Sequence, residues 1–200
     1  MNLAIIEYSI KEKHQIIFEN ALKMLWRRNL ISNYKSILSK TTEITSNKEI
    51  KVKLDDSSFA SIYIVNGKVT SISNNSPIDE YLKDTNILKI LVIEDPSKRV
   101  FKQVIEDYPN TNTFFFHEFM EDIPSKDIIP QHNLLTDEEK NELLTNFKNN
   151  NLKRIFTTDM MSRYFNAKVD DIFRIERLNI TSGKGVDYRV VVQGKLDLLF

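Results

Sequence analysis

Adjacent acids occur at Asp55-Asp56, Glu94-Asp95 and Asp170-Asp171, the residue type that metal-dependent phosphodiester chemistry uses. Two carboxylates share a Mg²⁺ only when both face it. Neighbours in a strand point to opposite faces, so these pairs read as turn or cap residues. Glu49-Ile50-Lys51 spells a nuclease-type Glu-x-Lys pair, in which two carboxylates hold the metal beside a lysine, but no partner acid is suitably placed before it. His14, His117 and His132 lack a second ligand at useful helical spacing and read as satisfied or surface histidines. The chain has no cysteine, which excludes disulfides, thiolate zinc sites and Cys nucleophiles and fits a reducing compartment. There is no Gly-rich phosphate loop and no Ser/His/Asp set in a recognisable context. The expectation is a chain with no catalytic residue, no metal and no cofactor.

Composition narrows the class further. At 200 residues, 41% apolar and 28% charged, the chain is an ordinary globular sequence of one large or two small domains. Cations and carboxylates balance at 28 each, so any nucleic-acid contact is expected to be local and weak on its own. No apolar run nears the length that spans a bilayer, and Met1 to Ser9 lacks a signal-peptide pattern, so the protein is expected to be soluble and intracellular, with no membrane partner.

The elements that must carry these residues begin with a helix between Ile10 and Ile31, whose apolar positions Phe18, Leu22, Leu25 and Trp26 suggest Trp26 as a core anchor. A second helical piece covers Tyr34 to Leu38. Strands are predicted at Ile50 to Leu54, Phe59 to Val65 and Val69 to Ile72, with Asn66-Gly67 as a type I′ hairpin turn. A short helix holds Ile78, Tyr81 and Leu82, and Ile87 to Ile93 is a buried strand with Lys89 in its middle. A helix from Pro96 to Tyr108 turns Val100, Phe101, Val104 and Ile105 inward, and Phe114-Phe115-Phe116 forms the next strand, giving a parallel pair. Pro124 to Pro130 is the joint between two units.

Beyond the joint, Thr136-Asp137-Glu138-Glu139 spells a capping box for a helix reaching Phe147 and burying Leu143, Leu144 and Phe147. Asn149-Asn150-Asn151 reads as the loop that ends it. Asp159 caps a short helix through Met160, Met161, Tyr164 and Phe165, which Asn166 ends in a left-handed conformation. The period then becomes two: Phe173 and Ile175 lie on one side of a strand, Arg174 and Glu176 on the other, and Tyr188 to Val192 returns. Thr181-Ser182-Gly183-Lys184-Gly185 connects them, its glycines permitting positive φ. From Asn151 onward nine cations stand against six carboxylates, which suits either a solvated mixed-charge face or a binding face.

The order and spacing of Pro130 and His132, Leu135-Thr136-Asp137-Glu138-Glu139, Glu142-Leu143-Leu144, Arg154-Ile155, Asp159, Arg163-Tyr164-Phe165, Lys168-Val169, Ile172, Ile175, Arg177, Thr181, Gly183 and Tyr188-Arg189 resemble the fifth, shared subunit of eukaryotic RNA polymerases and its archaeal counterpart. The likeness covers roughly the last third of the chain. Departures are Met160, where the family usually has proline, Ser162 for alanine, Lys153 for proline, and Asn166 and Asp170 for glycines. The chain also runs on through Gly194 to Phe200, a tail that either docks on a neighbour or frays.

The resemblance implies an α/β (α+β) fold in two domains: an endonuclease-like, inactive jaw domain over 1–125 and a small assembly domain over 126–200. It implies a non-catalytic polymerase subunit whose second domain docks on the largest subunit near the sixth. The first would form part of the lower jaw beside downstream double-stranded DNA, touching it weakly and without sequence preference. His132, Arg163, Tyr164, Arg177, Tyr188 and Arg189 are the motif residues expected to bind the partner. A full first domain argues against an archaeal subunit, and its divergence with heavy Asn, Lys and Ile usage favours a large DNA virus over an AT-rich protist. The protein would then be found with the polymerase in host cytoplasm and virion, or in the nucleus if cellular. The competing readings are a polymerase-binding transcription regulator and a Mg²⁺-dependent nuclease.

Overall fold

The computed structural model describes residues 8–41, 44, 47–84, 86–146, 152–179, 183–196 and 199. Phe147, Asn149-Asn150-Asn151, Thr181-Ser182 and, in the tail, Asp197, Leu198 and Phe200 lie outside the described residues. The fold is mixed α/β, and the chain divides into two compact units, Met1–Glu121 and Asp122–Phe200.

In the first unit, Ser9 opens α1 (Ile10–Arg27) with a capping box: its hydroxyl accepts from the Glu12 amide, and the Glu12 carboxylate accepts from the Ser9 amide. The helix buries Ile17, Phe18, Ala21, Leu22, Met24 and Leu25. Trp26 is not a core anchor. It stands about 100° further round the helix than Leu25, is 44% exposed, and tilts against Tyr34, the first residue of α2 (Tyr34–Lys40), at 5.9 Å.

Strands β1 (Glu49–Lys53), β2 (Phe59–Val69), β3 (Leu88–Pro96) and β4 (Thr111–Phe115) form a sheet in that order. β1 is antiparallel to β2, and β2, β3 and β4 run parallel. Parallel strands need crossovers, and helices α3 (Pro77–Lys83) and α4 (Lys98–Asp107) supply them. The unbroken apolar run Ile90-Leu91-Val92-Ile93 is fully buried, as befits a strand covered on both faces. Leu91 and Ile93 pack with Tyr63, Leu82, Val100 and Val104 on one face. Against the other face lie α1 and the single-turn α5 (Phe116–Phe119).

Further sequence expectations fail in this unit: Val69 to Ile72 is no separate strand, since β2 ends at Val69, and Phe116 opens α5 instead of ending β4. Asn66-Gly67 is not a hairpin turn, because β2 continues through it to Val69. The two residues form a bulge, Val65 opposing Ile93 and Lys68 opposing Asp95. Gly67 does take positive φ (77°), so the same conformational freedom serves a bulge. The bulge is pinned on both sides: His14 Nε2 lies 2.7 Å from Asn66 Oδ1, and the Gly67 amide donates to the Glu94 carboxylate at 2.6 Å. Pro96 closes β3, and Ser97 caps α4, its hydroxyl accepting from the Val100 amide. Ile105 is 39% exposed, on the outer side of α4.

The second unit builds its sheet from β5 (Gln131–Leu134), β6 (Lys153–Phe156), β7 (Ile172–Asn179) and β8 (Gly183–Val192), in the order β5-β7-β8-β6. β7 and β8 form an antiparallel hairpin, β5 runs antiparallel to β7, and β6 runs parallel to β8. Of the two glycines read as a turn, Gly183 has positive φ, while Gly185 sits inside β8 opposite Arg177. Helix α6 (Asp137–Asn146) begins with the Thr136/Glu139 capping box, at 2.9 and 3.3 Å. Its Leu143 and Leu144 are only half-buried.

Asp159 caps α7 (Met160–Tyr164) by accepting from the Met161 amide at 2.9 Å. Asn166 and Asp170, the residues standing where the family has glycines, both have positive φ, 53° and 71°. The core joins Phe173, Ile175, Val191, Ile155 and Ala167, with Leu134 and Phe165 at its margin. After β8 the chain continues alongside the residues that follow β6: the Gly194 amide donates to the Thr157 hydroxyl at 3.0 Å, and a β-carbon on Gly194 would collide with the Thr158 side chain.

Candidate functional site

Strand alternation sorts the second unit's motif residues. On β7, Phe173 and Ile175 face the core, and Arg177 continues that face toward the hairpin end. Pairing carries the same face across to His132, opposite Ile175, and to Arg189, opposite Phe173. His132, Arg177 and Arg189 therefore lie around one side of the sheet. Tyr188, opposite Arg174, lies on the reverse side.

His132 is a lock on the entry to this unit. Its Nδ1 lies 2.7 Å from the Pro130 carbonyl, which only accepts, so Nδ1 carries a proton; its ring meets Phe173 edge-on at 5.8 Å. Burial pushes its pKa below the usual imidazole range, with nearby Arg189 and Arg177 acting in the same direction. Arg163 donates from Nε to the Thr158 carbonyl at 3.2 Å, tying α7 to the turn before it. Tyr164 is 2% exposed with its ring against Phe165, so the structure places it inside the unit.

Arg189 approaches the Asp187 carboxylate at 3.4 Å, and Lys153 of β6 reaches the same carboxylate at 3.1 Å. Burial alone would raise that carboxyl, but the two cations outweigh it and hold Asp187 below the usual range. Tyr188 and Arg174 line a shallow hollow of about 270 Å³ with Leu143, Glu139 and Glu142 of α6. Arg177 is exposed on the rim of a larger one, about 510 Å³, between the 126–131 segment and the β7–β8 hairpin. That hollow also uses Lys126, Ile128 and Lys184, which sequence reasoning missed. The available signal was Ile128 itself, an isoleucine in a Pro-bounded, non-periodic joint, here 84% exposed.

Glu49 and Lys51 of the nuclease-like spelling lie on β1, where Glu49 Oε1 accepts from the Ser61 hydroxyl at 2.8 Å and Oε2 sits 3.8 Å from Lys51 Nζ. Among the described residues no group of three or more His, Asp or Glu could hold a metal ion.

This arrangement offers exposed hollows and ion pairs, and comparison with known proteins identifies the family. The family model described as RNA polymerase Rpb5, C-terminal domain, matches residues 121–191. DNA-directed RNA polymerase subunit 5 of Acanthamoeba polyphaga mimivirus is 32% identical over 195 residues, covering 92% of this chain and 94% of the viral protein. The chain belongs to the RNA polymerase subunit 5 family. Subunit 5 is a non-catalytic part of a multisubunit RNA polymerase. The Dictyostelium discoideum DNA-directed RNA polymerases I, II, and III subunit rpabc1 is 31% identical over 110 residues, 52% of this chain and 56% of its own. Subunit Rpo5 of Thermofilum pendens is 36% identical over 75 residues, which is 36% of this chain but 94% of the archaeal protein. The subunit 5 family thus meets this chain at two scales, over most of its length in a virus and over a short segment in archaea.

Proposed function

We propose that this subunit works mechanically and electrostatically in a viral polymerase, with residues 126–200 anchoring it to the largest subunit near the sixth and residues 1–125 forming part of the lower jaw. The observation that carries this reading is the viral relative's likeness over both units, set beside an archaeal relative of little more than a third of this chain's length. A short form that suffices in one relative fits an anchoring role; the added unit fits a task outside the anchor. The side chains of Arg177, Tyr188 and Arg189, with His132 and Arg163 fixing the backbone beneath, are the proposed partner-binding set.

For the jaw, α4 supports a contact with duplex DNA. Lys98, Arg99 and Lys102 occupy its first turns, and no acid stands in its first turn. Cations there oppose the helix dipole, whereas phosphates nearby would be attracted by both. With no net charge on the whole chain, such contact guides DNA within the assembled enzyme and is weak alone. The protein acts wherever its polymerase acts, which for a virus of this kind would be host cytoplasm and virion.

The test is purification of the tagged protein from its native source, with band intensities measured against the two largest polymerase subunits. Equal stoichiometry that survives high salt supports an integral subunit. Substoichiometric, salt-labile recovery would favour a regulator, and absence of polymerase would overturn the reading.

A further inference from the structure

The hollow beside the β7–β8 hairpin combines features that a merely solvated surface does not need together. Ile128 holds an apolar side chain 84% in solvent at its rim, next to Pro130. Arg177 and Lys184 are exposed at its other side, contributed by the two strands of one hairpin. The hollow's carboxylates are Asp127 and Glu176, and Glu176 is already engaged by Arg174 at 3.3 Å. With that ion pair set aside, Arg177 and Lys184 face a single acid, Asp127.

We propose that this hollow receives an extended peptide segment of a neighbouring polymerase subunit, with carboxylates paired to Arg177 and Lys184 and an apolar side chain resting on Ile128. The proposal rests on the assembly reading above and names the chemistry of one contact within it. A guanidinium presents a planar fork that a carboxylate meets through two parallel hydrogen bonds, and a nearby ammonium adds a second charge without fixed geometry. The exposed isoleucine gains by being covered. Duplex DNA suits the hollow less well: its closely spaced phosphates would meet Asp127 and Glu176 as well as the cations, and it has nothing to cover Ile128.

The test uses the full ¹⁵N-labelled chain titrated with a short synthetic peptide in which leucines alternate with Asp-Glu pairs. A lysine-for-acid version of the peptide and a short duplex DNA serve as controls. The expected result is shifts centred on Ile128, Gln131, Arg177 and Lys184 with the acidic peptide only. Affinity should fall roughly tenfold or more in Arg177→Ala/Lys184→Ala, and also fall in Ile128→Ser. All three residues are exposed, so the variants should fold, and their spectra report whether they do. Shifts elsewhere, unchanged affinity in the double variant, or tighter binding of DNA at the same residues would overturn the proposal.

Purification from the native source separates the two levels. Loss of the double variant from the polymerase at lower salt than wild type supports the contact. Equal recovery of variant and wild type overturns the contact while leaving assembly intact. A wild-type protein that brings no polymerase sinks the assembly reading itself.

Discussion

The Lys89 ammonium donates to the backbone carbonyl of Tyr81 and lies over the same residue's ring, 5.1 Å from its centroid. Tyr81 belongs to the last turn of α3, where carbonyls lack helical partners, and its hydroxyl donates to the Ser61 carbonyl at 3.0 Å. A lysine only 1% exposed inside the sheet thus fastens a crossover helix by its negative end. Burial lowers the Lys89 pKa, while Asp84 and Glu49 draw it back up. Replacing Lys89 by Met keeps the stem but leaves the carbonyl unpaired, which should cost about 1–3 kcal/mol in urea unfolding. Lys89→Ala should cost more, because it adds a cavity. A stabilised Lys89→Met would mean that desolvating the charge outweighs both contacts.

His132 should make stability pH-dependent. Its folded pKa is depressed by burial, so the unfolded chain binds more protons in the interval between the two values. The contribution is complete above the ordinary imidazole value of about 6.5 and is lost as pH falls through the folded value. His132→Asn, which retains a donor near the Nδ1 position, removes that titration. Urea midpoints of wild type and variant should therefore converge as pH is lowered, and parallel curves would show that His132 does not titrate differently in the folded state.

Asp170 pays for its left-handed backbone, at φ 71°, with strain that glycine lacks. Asp170→Gly should raise stability by about 0.5–1 kcal/mol, the relief of strain being partly offset by glycine's greater freedom when unfolded. Asn166→Gly should gain less, because it also gives up the 3.1 Å contact between Asn166 Oδ1 and Lys168 Nζ. Thermal melts of both variants check the order.

Gly194 tests whether the contact just beyond β8 matters to the second unit. Gly194→Ala forces its new methyl against Thr158, at an expected cost of about 1–3 kcal/mol. Thr158→Ala removes the Thr158 Oγ1 and Cγ2 it meets and leaves only the Phe156 Cβ at 3.0 Å, so the double variant should be more stable than the sum of the single effects allows. Strict additivity would place the cost of Gly194→Ala somewhere other than this collision.

What was legible in the sequence was local. The Thr136/Glu139 box, the Asp159 cap, Asn166's left-handed turn and the alternation through Phe173-Arg174-Ile175-Glu176 depend on residues within a few positions of one another, and each is realised in the structure. Gly67 signals positive φ from its residue type alone, but whether that makes a turn or a bulge depends on which strand lies alongside, and β3 arrives only after a crossover helix. Trp26 misleads for a similar reason, since the width of a helix's buried stripe is set by what packs on it. The hollow around Arg177 was out of reach because its walls come from the joint and the hairpin, two stretches that only the pairing of β5 with β7 brings together. Arg177 is visible as a motif residue, while Ile128 and Lys184 acquire meaning only beside it.

The last of the described strands, β8, lies inside its sheet, with β7 on one flank and β6 on the other. On the ribosome, β6 must wait unpaired until β8 emerges, since β8 is the strand it joins. A premature stop before Gly183 would not trim a border of this unit; it would take out its seam and leave β6 without the strand it pairs with. Only chains translated through that strand can close the four-stranded sheet, so the unit's fold is completed by nearly the last residues the ribosome adds to it.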